Sequence, residues 1–114
     1  FNVRARLAAT LDSTGKKAEA AREYETLSRQ ARGDIAEGAA WNAALAWREA
    51  GDTAQAQRAF ASYAQRFPNG PRAREARAQR YNLLIASGDT SAAQAELRVF
   101  CRNPRTDEER AQCS

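Results

Sequence analysis

The chain has 114 residues, a formal net charge of +4 from 18 basic and 14 acidic side chains, two cysteines and no histidine. That length makes one domain or one short array. No run approaches the roughly 18 apolar residues of a bilayer span, and without histidine neither a Ser/His/Asp nor a Cys/His nucleophile system can be assembled.

Alanine is the commonest residue, and together with Arg, Glu, Gln and Leu it predicts an all-α chain from propensity alone. Apolar residues at spacings of three and four share one helical face. Leu7/Leu11 predict a helix over 2–14, and Ala20/Tyr24/Leu27 one over 16–31. Trp41/Ala44/Leu45 mark 35–50, entered by Asp34 and Glu37 at capping-box spacing, and Ala56/Phe60/Tyr63 mark 53–67, entered by Asp52 and Gln55. Tyr81/Leu84/Ile85 predict a helix over 71–87, with Pro71 as its first-turn proline. Ala93/Leu97/Phe100 predict another over 90–102. After Pro104, Thr106 and Glu109 repeat the capping-box spacing and announce a seventh, short helix, too brief to stand alone in water.

Three stretches superimpose. Gly15, Gly51 and Gly88 are each followed by alanine five residues on (Ala20, Ala56, Ala93), then by a large apolar residue four later (Tyr24, Phe60, Leu97). Another follows after three more (Leu27, Tyr63, Phe100). The glycines stand 36 and 37 residues apart, and a fixed period is the mark of a repeat array whose units bury their apolar faces on one another. Three helical hairpins result, at approximately 2–33, 34–69 and 70–104, with a cap at 105–114. Counted back from Gly88, Arg77 and Arg80 fall on positions that are apolar in the helical repeat which this spacing resembles. A one-residue shift places Ala78, Tyr81 and Ile85 there instead and is the register expected.

The pattern resembles the tetratricopeptide repeat, a helix-turn-helix unit of about 34 residues. Ala8, Ala44, Ala20, Ala56 and Ala93 match its close-packing positions, the three glycines its inner turn, and Pro68 its terminal proline. With Phe67 to Pro71, the long period looks like the bacterial envelope branch, which includes outer-membrane assembly lipoproteins and the periplasmic partner of the Tol–Pal system. The resemblance implies a right-handed α-solenoid of three hairpins plus a C-terminal capping helix. It also implies a concave groove, lined by the first helix of each hairpin, that holds a peptide or partner helix. Carried onto this chain, groove positions include Arg6, Trp41, Asn42, Leu45, Arg48, Gln79 and Asn82. Trp41 has two readings, an aromatic anchor in the groove or a core residue between the first and second repeats. The basic set that captures acidic C-termini in one subfamily is matched only by Arg6, so that specificity is not carried over.

Cys101 and Cys113 have no CxxC spacing and no histidine nearby to complete a zinc or redox site. A turn at Asn103–Pro104 would bring them into bridging range and hold the terminal cap over the array, implying an oxidising compartment such as the periplasm. The alternative is two reduced thiols. Phe1 is not methionine, so the chain is read as a mature or excised fragment from which a signal, lipid anchor or domain could have been removed.

Gly15-Lys16-Lys17 lacks the strand and preceding glycine of a phosphate loop, and Asp107, Glu108 and Glu109 suit a helix N-terminus. No catalytic residue, metal or cofactor is expected. The expected role is an adaptor or assembly module for a protein partner. Two alternatives stand beside it. One is polyanion binding through Arg72, Arg74, Arg77 and Arg80, which could equally form a solvated face; the other is a structural or oligomerisation spacer.

Overall fold

The computed structural model describes residues 2–102 and 104–113. Among them are α1 (Asn2–Ser13), α2 (Lys17–Gln30), α3 (Gly33–Glu49), α4 (Thr53–Arg66), α5 (Ala73–Ala86), α6 (Thr90–Cys101) and α7 (Asp107–Cys113), and no strand. All seven expected helices form within a few residues of their predicted bounds. Each packs on its chain neighbours, α1 on α2 through to α6 on α7, in a body measuring 47 × 28 × 20 Å.

The three glycine turns are copies of one another. Gly15, Gly51 and Gly88 have φ of 85°, 81° and 82°, a left-handed conformation in which a Cβ would be strained. At each, the glycine N–H donates to the carbonyl three residues back. The next N–H donates to the carbonyl five residues before itself: Lys16 to Leu11 at 2.9 Å, Asp52 to Trp47 at 3.1 Å and Asp89 to Leu84 at 2.9 Å. This paired bonding is the Schellman stop, which satisfies the last carbonyls of a helix and reverses the chain. Asp52 and Asp89 then open the next helix, each carboxylate accepting an N–H at 3.2 Å, from Gln55 and Ala92.

The main core lies at the second hairpin. Trp41 stands edge-on to Phe60 and Tyr63, with ring centroids 5.6 and 5.8 Å apart, and Trp47 joins the same cluster. Edge-to-face rings add about 1 kcal/mol beyond their area. Alanines at 21, 44, 56 and 76 let the helices approach closely around these rings.

Three local expectations need correction. Asp34 does not cap α3, which begins at Gly33 without a side-chain cap; Glu37 instead accepts from the Tyr63 hydroxyl and pairs with Arg72. Pro71 lies in the turn ahead of α5, which starts at Ala73. The register of α5 is the unshifted one. Ala73, Ala76 and Leu84 are buried 15, 12 and 4 residues before Gly88, as Ala36, Ala39 and Trp47 are before Gly51, whereas Ile85 is 48% exposed. The extra residue between the second and third glycines is taken up in the loop 67–72, where the corresponding link after α2 is only residues 31–32.

Candidate interaction surface

The repeat gives α1, α3 and α5 equivalent positions, counted from the glycine that follows each helix. Arg6, Asn42 and Gln79 each stand nine residues before their glycine. Arg6 and Asn42 are exposed, and Gln79 accepts a hydrogen bond from the guanidinium of exposed Arg48 at 2.8 Å, tying α3 to α5. Leu45 is half-buried against the core, and exposed Asn82 occupies the position on α5 that Leu45 has on α3. The bond between Arg48 and Gln79 is the contact that joins two of these helices.

Trp41 does not belong to it. The indole is 7% exposed, surrounded by the second hairpin's core, with the Arg72 guanidinium 5.8 Å from its ring centroid. That burial suits a core residue and not an exposed anchor, but the rings it meets, Phe60 and Tyr63, belong to its own hairpin and not to the first repeat. Trp47 is buried as well, under the guanidinium of Arg22 at 5.6 Å.

The arginine stripe is neither a solvated face nor an array of free cations. Arg72 pairs with Glu37 at 3.5 Å, and Arg74 holds Glu109 through two nitrogens, the Nε contact being 3.0 Å. Arg77 and Arg80 share Glu96, at 3.5 and 2.6 Å. Glu96 is 7% exposed, so its charge is compensated by two guanidinium groups instead of water. Arg74, Arg77 and Arg80 therefore clasp α5 to α7 and α6, Arg72 ties the loop before α5 to α3, and phosphates would have to compete with carboxylates already in place.

Sequence reading missed these acidic partners, although the signal was present. Arg4 and Arg77 both stand 11 residues before their glycine, and Glu23 and Glu96 both stand eight after it. Arg4 and Glu23 pair at 2.6 Å, so the first and third hairpins carry the same ion pair at the same positions. The second hairpin has Ala40 and Ala59 there.

At the C-terminal end Cys101 and Cys113 are joined as a disulfide, with Cα atoms 5.5 Å apart. Asn103, half of the turn expected before the cap, lies outside the described residues. The capping box at Thr106 is complete. Its hydroxyl accepts the Glu109 N–H at 3.1 Å, and Glu109 accepts the Thr106 N–H at 3.3 Å. Hydrogen bonding from Arg74, then from the Arg105 N–H, holds the Glu109 carboxyl down at about 2. Arg74 also lies over the Phe100 ring at 4.9 Å, so one guanidinium joins α5, α6 and α7.

Among the described residues, no group of three or more His, Cys, Asp or Glu could hold a metal ion, and no helix is long and apolar enough to cross a membrane. No protein-family model matches the chain, and no curated protein matches it.

Proposed function

We propose that this chain is a protein-interaction module: a short right-handed α-solenoid of three tetratricopeptide-like hairpins closed by α7. It holds an extended peptide or a partner helix along its first helices. The observation that carries the reading is the threefold turn at Gly15, Gly51 and Gly88, which brings α1, α3 and α5 into the same register. Arg6, Asn42 and Gln79 then recur along one surface, with the Arg48–Gln79 bond joining two of the helices. Repeat units of this kind offer an extended surface for a partner and little machinery for chemistry. A disulfide-paired cap suits an oxidising compartment, which supports a place in the bacterial envelope.

Because Trp41 is in the core, it is unsuited to testing this surface. The better variants are Arg6→Glu and Asn42→Lys, which alter exposed side chains without disturbing packing. Cross-linking from this face in envelope extract should yield a defined partner, and both variants should reduce its recovery at unchanged helicity. Equal recovery from wild type and both variants would remove the first-helix face as the binding surface.

A further inference from the structure

Two clefts in this protein are built from equivalent positions and filled differently. The cleft between α4 and α6, floored by α5, contains Arg77, Arg80 and the buried Glu96, leaving a space of about 170 Å³. Its counterpart between α2 and α4, floored by α3, has Ala40, Ala43 and Ala59 at those three positions and opens to about 430 Å³. Ligand pockets run from roughly 300 to 1,000 Å³. Of these two equivalent clefts, the second reaches that range and the first does not.

The charges on its rim define what would fit. Arg66 donates to the Ser28 hydroxyl at 2.7 Å and to the Ser28 carbonyl at 3.1 Å, and its guanidinium lies over the Phe67 ring at 5.0 Å. Ser28 is itself 2% exposed and donates to the Ala36 carbonyl, so the exposed Arg66 side chain is tied to a buried hydroxyl. Every partner of Arg66 is neutral, and no described carboxylate pairs with it. Arg29 also lines the cleft and bonds only the Thr26 hydroxyl, against a single acid there, Glu25. An exposed cation held by two hydrogen bonds and without a carboxylate partner, beside an alanine floor, complements an apolar group carrying a carboxylate.

We infer that the α2–α4 cleft is a second binding site, taking a segment of a partner protein in which an apolar side chain stands beside an acidic one. The apolar side chain lies on Ala40, Ala43 and Ala59, and the carboxylate meets Arg66. Asn42 lies on the opposite side of α3 from Ala40, two residues along a helix of 3.6 per turn, so this site is separate from the first-helix face.

The test is an amide-resolved NMR titration of the whole chain with N-acetyl-Leu-Glu-amide, and with the Leu-Gln and octanoate counterparts. The Leu-Glu probe should give saturable shifts at Ser28, Ala40, Ala43 and Ala59, with the Leu-Gln probe about tenfold weaker, as the loss of one charge-assisted bond predicts. Arg66→Gln should bring the two peptides to equal affinity. Ala40→Arg with Ala59→Glu, which reproduces the pair of the other two hairpins, should close the cleft to both. If that double variant does not fold, the Arg66→Gln comparison decides alone. Equal binding of the two peptides to wild type, or no saturable shift in the low millimolar range, would overturn the proposal. Tighter binding of octanoate than of the peptide would overturn its assignment to a protein segment.

Discussion

Tyr63 shows how single residues settle the second hairpin. The side chain is 0% exposed, yet its hydroxyl donates to Glu37 on α3 and accepts the Arg72 N–H at 3.2 Å from the following loop. Burial, then the bond to Glu37, pushes its pKa up to about 12 from 10.0. The protonated phenol is therefore favoured in the folded state. Its contribution is fully present below pH 10 and is lost as pH rises through about 12. Tyrosinate absorbance should show this group titrating above the ordinary range, and Tyr63→Phe should cost about 1–2 kcal/mol in denaturant unfolding by stranding two polar partners. A Tyr63→Phe variant as stable as wild type would show that the hydroxyl contributes nothing. Trp41 could not be resolved from spacing at this scale. A large aromatic on a first helix serves a groove or a core equally well, and only the positions of Phe60 and Tyr63 decide between them.

Ion pairs decide the register of α5. A one-residue shift would keep Arg77 and Arg80 out of the places where the second hairpin has Ala40 and Ala43. Apolar periodicity along one helix could not reveal that Glu96, on the next helix, would pair with both. This account predicts strong non-additivity. Glu96→Ala should destabilise the protein by about 2 kcal/mol, because two partly buried guanidinium groups lose their counter-charge. Replacing Arg77, Arg80 and Glu96 together by alanine, the residue that the second hairpin has at all three positions, should cost roughly half as much or less. Additive losses in chemical denaturation would contradict this. The turns, by contrast, were legible from glycine alone, because their φ is one that side chains resist. No atom lies within 4 Å of a Cβ built at Gly51, so Gly51→Ala should cost about 1 kcal/mol from backbone strain only.

The last element is held from several directions at once. Helix α7 has seven residues, too short to persist by itself, and the disulfide, the Thr106–Glu109 box and the Arg74–Glu109 pair all fasten it. Glu109 has a folded pKa depressed to about 2 from 4.5, so its contribution is present above pH 4.5 and is lost as pH falls towards 2. Amide exchange in α7 should accelerate over that window before the second hairpin opens. Cys101→Ser with Cys113→Ser should loosen the same helix, removing roughly 3 kcal/mol on the loop-entropy estimate. Unchanged exchange in α7 in that variant would mean that the carboxylate pair suffices.

At the scale of the whole molecule, helix number, helix order and the repeated turn were readable in the sequence because each depends on residues close along the chain. Which first-helix residues stay exposed, and which cleft stays open, depends on neighbours some 30 residues away, where one alanine or glutamate changes the outcome. The elongated body follows from helices that pack on their chain neighbours, leaving α1 and α7 at opposite ends of the order. That open order is what gives the first-helix face and the α2–α4 cleft their meaning. The most direct test is the pattern of nuclear Overhauser contacts in solution. Dense contacts are expected between consecutive helices, including the Trp41 ring to Phe60 and Tyr63. A comparably dense set between α1 and α5 or α6 would mean a closed bundle, and would contradict the account.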